Sequence, residues 1–105
     1  RPIGLPRASF LWCISKYPTP LESLNLPVMG NTDGWEGLSD HSCSTLTGAV
    51  AVGRGALYIE KHVRLSDTPE SDPDYGHSLI VDGNPPWDQS FAAYVEYVRT
   101  AERML

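Results

Sequence analysis

The chain predicts an α/β fold with parallel strands, and three observations predict it. Apolar, β-prone runs alternate three times with loops and segments of helical pattern. The stretch Gly37–Leu65, GLSDHSCSTLTGAVAVGRGALYIEKHVRL, reads as strand, helix, strand, which is one βαβ unit. The final stretch places apolar residues along one helical face. Crossover connections of this kind give parallel strands, and polar residues then gather at the strands' carboxyl ends, where loops build a site.

In order, the first ten residues are irregular: Pro2 and Pro6 bracket Gly4, against either a helix or a central strand. Residues 9–14, SFLWCI, form a continuous apolar run, as expected of a strand buried on both faces. Pro18 and Pro20 stop it, and Thr19-Pro20 opens a short helix through Leu21 and Leu24. Residues 30–34, GNTDG, are turn chemistry. A strand over Glu36–His41 follows, then small helix-compatible residues from Thr45 to Val52, a Gly53-Arg54-Gly55 break, and a strand over Ala56–Val63. The segment Ser66–Pro86 is rich in Asp, Pro, Ser and Gly, and a loop of that length is a functional lid or disordered. It carries Asp72, Asp74, Tyr75 and His77, and is expected to lie over the strand ends with Asp74 toward the strand-end histidines. A last helix starts with Asn84 as its cap and Pro85 in its first turn. Trp87, Phe91, Tyr94, Val95, Val98 and Leu105 share its packing face.

Composition bounds the function. A chain of 105 residues is one domain or less, and at this length buries about two thirds of its unfolded surface. With 13 acidic residues against 8 basic ones, the net charge of −5 offers no basic patch to nucleic acid or to an anionic membrane. No apolar run approaches the roughly 20 residues of a membrane span. No signal peptide is visible, although the chain opens on Arg1 rather than Met, which leaves an upstream segment open. Cys13 and Cys43 lack metal-motif spacing and read as buried, reduced thiols of a cytoplasmic protein.

Side chains alternate along a strand, so Ser39 and His41 share one face of the second strand, and Glu60 and His62 one face of the third. Two imidazoles at adjacent strand ends can hold a divalent metal whose open positions polarise a carbonyl. Spacing alone leaves this undecided against two separate polar residues, because no HxxxH or CxxC word is present. Tyr17 reads equally as a ligand contact or a packing residue. Lys16 and Lys61 read as solvated lysines sooner than anion ligands, and His77 as a surface residue sooner than a third metal ligand.

The words Tyr17-Pro18-Thr19-Pro20, Gly37-Leu38-Ser39-Asp40-His41, Ile59-Glu60-Lys61-His62 and Pro73-Asp74 followed by Ser78-Leu79 resemble, in order and spacing, the sialic acid synthase family. That family includes N-acetylneuraminate, legionaminate and pseudaminate synthases. The resemblance implies a partial TIM barrel: three parallel strands each followed by a helix, the last three βα units of eight, filling residues 1–105 as one partial barrel domain. It implies a transferase that condenses phosphoenolpyruvate with an N-acetylated amino sugar of the N-acetylmannosamine type to make a nonulosonic acid. His41 and His62 match the family's metal ligands, usually for manganese; Ser39 matches a contact to the phosphate of phosphoenolpyruvate. Tyr17 and Asp74 match positions near the amino sugar, and Glu60 a catalytic carboxylate beside the reacting carbons.

The chain departs from the family at Asp72-Pro73-Asp74-Tyr75, where many members have Gly-Pro-Asp-His. The loop from His62 to Asp74 is one residue longer, and Ser15 stands where some members have an asparagine that binds phosphoenolpyruvate. The family's upstream strands and its C-terminal antifreeze-like domain have no counterpart here. The resemblance therefore implies a missing barrel half supplied elsewhere or self-association of the open edges, with the alternative of a catalytically incomplete remnant that serves as a small interaction module.

Overall fold

β1 (Phe10–Cys13), β2 (Trp35–Asp40) and β3 (Tyr58–Lys61) form a three-stranded parallel sheet in that order in the computed structural model, which describes residues 8–31 and 34–105. The lead-in around Pro2, Gly4 and Pro6, and Thr32 and Asp33 of the expected turn, lie outside the described residues. Helix α1 (Thr47–Gly53) connects β2 to β3, and α2 (Phe91–Arg103) closes the chain. Two short strands, β4 (Val63–Arg64) and β5 (Leu79–Ile80), pair in parallel as a second sheet. The α/β class with parallel strands is thus present, and no helix of the described residues is long and apolar enough to cross a membrane.

The core lies on the helix-facing side of β2. Leu38, Met29 and Ala51 are buried there, with Trp12, Leu26 and Ala56 packed against them. The indole Nε1 of Trp12 donates to the Leu24 carbonyl at 2.9 Å, which fastens the segment between β1 and β2 to this core. On the other side Gly37 faces Tyr58 of β3. A Cβ at Gly37 would stand 2.0 Å from the Tyr58 carbonyl oxygen, so only glycine allows β2 and β3 to approach this closely.

Several expectations need correction. β1 is not buried on both faces: it pairs only with β2 among the described residues, and Phe10 is 59% exposed. The helix expected after Pro20 is a single 3-10 turn, Leu21–Ser23. Asn25 takes a left-handed conformation (φ 45°), and Pro27 disfavours a helical residue before it, so the turn cannot propagate. The strand expected over Ala56–Val63 breaks at His62, and its end turns away as β4, gaining the ladder partners Leu79 and Ile80, both buried. The segment Ser66–Pro86 is accordingly not without structure: it holds a 3-10 turn at Tyr75–His77 and then β5.

The last helix begins later than expected. Pro86 pushes Pro85 toward extended backbone, residues Trp87–Gln89 form a 3-10 turn, and Ser90 caps α2 by accepting from the Ala93 N–H at 3.2 Å. Tyr94 is the buried centre of its packing face, and Phe91, Val95 and Val98 are half-buried. Trp87 and Leu105, expected on that face, are exposed.

Tyr94 ties α2 to the rest. Its ring lies over Gly48 of α1, where a Cβ would come within 2.7 Å of the ring, and its hydroxyl donates to Asp40 Oδ2 at 2.7 Å. Burial, then the nearby Asp40 carboxylate and the hydrogen bond to it, push the Tyr94 pKa well above the ordinary tyrosine range.

Tyr94→Phe is expected to lower unfolding stability by about 2 kcal/mol, since it leaves a buried carboxylate oxygen without its donor. Denaturant unfolding checks this. Because the folded state holds this proton more tightly, the contribution is intact below the unfolded value of about 10 and declines as pH rises above it. Tyr94→Phe should remove that part of the alkaline slope. Gly48→Ala is expected to cost about 1–3 kcal/mol by overpacking against the ring, despite the better helix propensity of alanine, and the same unfolding curves measure it.

Candidate metal centre at the strand ends

β2 sends its even and odd residues to opposite faces, and the two sets build different halves of the site. Asp40, fully buried, turns toward the helices. Its Oδ1 accepts from the Ser42 N–H at 2.9 Å and the Ser42 hydroxyl at 2.7 Å, while Oδ2 accepts from Tyr94. Ser42 Oγ lies 3.0 Å from Thr47 Oγ1, so the same network reaches the first turn of α1. Ser39 and His41 point the other way. The Ser39 hydroxyl donates to Glu60 Oε1 of β3 at 2.6 Å, and His41 follows immediately after β2.

Lys61, at the end of β3, is not a solvated lysine. Its ammonium donates to the carbonyls of Asp40 (3.4 Å), Ser42 and His77 (2.9 Å), joining β2, the loop after it and the loop after β4. Burial pushes its pKa down, against the opposing pull of Asp40 and Cys43.

Through that link the long loop reaches the strand ends. Asp74 places Oδ2 3.4 Å from His62 Nδ1 and Oδ1 3.2 Å from His77 Nε2. His77 is 4% exposed, which corrects its reading as a surface residue. The ring centroids of His41 and His62 are 5.1 Å apart, those of His41 and His77 5.4 Å, and those of His62 and His77 5.0 Å. Each imidazole offers a nitrogen within 4.8 Å of the others, a set able to hold a metal ion.

Tyr17 closes one side, its ring edge-on to His41 at 4.6 Å and 5.4 Å from His77; the Tyr17-Pro18 peptide is cis. A cavity of about 280 Å³ lies among Tyr17, His41, His62, Pro73, Asp74 and His77. Cys13 Sγ stands 3.6 Å from His41 Nδ1. Both cysteines are free, as expected, but exposed rather than buried, because β1 is an edge and Cys43 lies in the loop after β2, where its thiol meets the Gly76 carbonyl at 2.8 Å. Ser15 is exposed in the bend after β1.

The donor set suits a divalent transition metal. Desolvation, followed by His62, His77 and Lys61, lowers the His41 pKa, with Glu60 opposing, so its neutral ligating form is favoured. An ion on these imidazoles would keep positions open toward the cavity. Ser39, Glu60, His41, His62, Asp74 and Tyr17, all chosen from the sequence, surround this one end of the sheet. His77 and Lys61 carry no spacing word that marks them. The one available signal was the position of His77 three residues after Asp74, which returns it to the same carboxylate.

Comparison with known proteins shows the family of the chain. The chain is 39% identical over 104 aligned positions to a pseudaminic acid synthase of Campylobacter jejuni, a match covering 95% of this chain and 28% of that protein. It is 32% identical over 99 positions to the N,N'-diacetyllegionaminic acid synthase of Legionella pneumophila, covering 90% of this chain and 26% of that protein. A pseudaminic acid synthase of Helicobacter pylori is 37% identical over 79 positions, covering 71% and 23%. The chain thus spans about a quarter of the length of these relatives. The NeuB family profile matches residues 5–105, and the chain belongs to the NeuB family.

Proposed function

We propose that residues 1–105 supply the last three βα units of a TIM-barrel synthase, one partial barrel domain that joins phosphoenolpyruvate to an N-acetylated amino sugar to make a nonulosonic acid. The observation that carries the reading is the meeting of His41, His62 and Asp74 at one end of the sheet, with the Ser39–Glu60 pair beside them. The relatives' names favour an acceptor leading to pseudaminic or legionaminic acid over N-acetylmannosamine itself.

In this reaction C3 of phosphoenolpyruvate forms a bond to the sugar's aldehyde carbon, the aldehyde oxygen takes a proton, water adds at C2, and phosphate leaves with its C–O bond broken. A divalent ion on His41 and His62, manganese by family resemblance, supplies Lewis acidity toward the aldehyde. Ser39 would donate a hydrogen bond to the phosphate of phosphoenolpyruvate. Its hydroxyl is engaged by Glu60 at 2.6 Å, so an arriving phosphate that took this hydrogen bond would free the Glu60 carboxylate to act beside the reacting carbons. Asp74 and Tyr17 border the cavity and orient the sugar. Ser15, in the bend that follows the carboxyl end of β1, would meet phosphoenolpyruvate from that side.

β1 and β3 each have one strand neighbour among the described residues, and Phe10 and Tyr58 are 59% and 49% exposed. The remaining strands of the barrel would cover these edges; alone, the 105-residue chain would associate through them or be poorly stable. Light scattering is expected to give a mass above the 11.6 kDa of one chain, with no phosphate released from phosphoenolpyruvate, amino sugar and Mn2+. A monomer with metal-dependent turnover would contradict both expectations.

Joined to the upstream barrel strands of the Campylobacter relative, the chain should release phosphate only when sugar and metal are both present. Glu60→Gln in that chimaera should lower turnover by roughly 10²-fold or more. A folded, metal-loaded chimaera without turnover would sink the synthase reading.

A further inference from the structure

We propose that His77 is a third metal ligand, so that this chain offers three imidazoles and selects an ion that prefers nitrogen donors, such as Zn2+ or Co2+, over Mn2+. Nothing in the two-histidine expectation required His77. The inference rests on how the second nitrogen of each ring is occupied.

Metal-binding histidines fix their orientation by engaging the non-ligating nitrogen elsewhere. Here all three do so. His41 Nδ1 faces Cys13 Sγ at 3.6 Å, His62 Nδ1 meets Asp74 Oδ2 at 3.4 Å, and His77 Nε2 meets Asp74 Oδ1 at 3.2 Å. That assigns Nε2 of His41, Nε2 of His62 and Nδ1 of His77 to the metal. One carboxylate orients two of the three rings, which makes Asp74 a positioning residue for the centre.

The spacing is close to that of a loaded site. Zinc–nitrogen bonds of about 2.0–2.1 Å at a tetrahedral angle place ligand nitrogens ~3.4 Å apart. One nitrogen of each ring lies within 4.8 Å of the others, so small side-chain rotations close the set. The Lys61 ammonium, bonded to the His77 carbonyl at 2.9 Å, holds the backbone of the third ligand in place while the ring turns.

Donor chemistry then sets the choice of ion. Imidazole suits zinc, copper, iron and nickel, whereas carboxylate, carbonyl and water suit manganese, and Mn2+ stands lowest in the Irving–Williams order. A third imidazole in place of a water therefore moves preference away from manganese. Three nitrogens with one open position also form the donor set of a catalytic zinc site. The fourth position faces the cavity that Tyr17 and Pro73 border.

The inference rests on the synthase reading only for the presence of a metal at this end of the sheet. X-ray absorption of the wild-type chain loaded with one equivalent of Zn2+ counts the imidazoles directly and needs no variant. Three are expected; two, or failure of the folded chain to bind Zn2+, would overturn it. Titration with Co2+ is expected to give the strong visible absorption of a four-coordinate ion, displaced by one equivalent of Zn2+ and resistant to excess Mn2+. Displacement by Mn2+ would count against it.

In His77→Gln, shown to be folded by circular dichroism, Co2+ affinity should fall at least tenfold and the strong bands should be lost. Asp74→Asn should weaken binding roughly 10–100-fold while keeping one ion per chain. An unchanged spectrum and affinity in His77→Gln would exclude His77 as a ligand. Three-imidazole binding in a chimaera without turnover would end the synthase reading and leave this centre standing. A two-imidazole manganese enzyme would do the reverse.

Discussion

One ammonium group holds the strand-end site together. Lys61 spends its three donors on carbonyls from three separate places: Asp40 at the end of β2, Ser42 in the loop that starts the crossover, and His77 in the loop that returns from β4. Its burial is unfavourable for a charged form, and its pKa is lowered accordingly. That desolvation is offset by three charge-assisted hydrogen bonds and the nearby Asp40 carboxylate. Without this link, the segment carrying Asp74 and His77 would be held to β2 mainly by ring contacts and the Cys43–Gly76 hydrogen bond.

Asp40 does the complementary task on the opposite face. The Ser-Asp-His word places three polar residues in a row, and the alternation of the strand sends Ser39 and His41 to the site while Asp40 faces the helices. There it receives Ser42 and Tyr94, so the loop after β2, the first turn of α1 and the first turn of α2 are all fixed from one carboxylate. The apolar core is small, with Leu38, Met29 and Ala51 at its centre. Buried polar bonds therefore carry an unusual share of the positional information in this chain. Fully satisfied networks of this kind specify one arrangement, and losing a single member leaves costly orphans.

Much of this was legible in the sequence because periodicity and alternation are local. The βαβ unit and the shared faces of Ser39 with His41 and of Glu60 with His62 follow from counting residues along strands, while their joining into one site rested on the family resemblance. What escaped depended on partners far along the chain. β1 reads as doubly buried because its residues are apolar, yet among the described residues it has β2 alone beside it, which leaves Phe10 exposed. The start of α2 reads too early because Asn84-Pro85 carries a capping signal that the following Pro86 overrides, leaving Ser90 to cap. Lys61 reads as solvated and His77 as a surface residue because a lysine or a loop histidine carries no information about its burial until a carbonyl or a carboxylate is brought to it.

The central claim is that Lys61 fastens the loop of Asp74 and His77 to the end of β2, and hydrogen–deuterium exchange in Lys61→Met tests it directly, since methionine keeps the length and apolar stem of the side chain. Amides of residues 74–80 and 42–45 are expected to exchange roughly tenfold faster or more, as befits losing hydrogen bonds of this type. Those in the middle of α2 should stay unchanged. Equal exchange in both proteins across residues 74–80 would contradict the account.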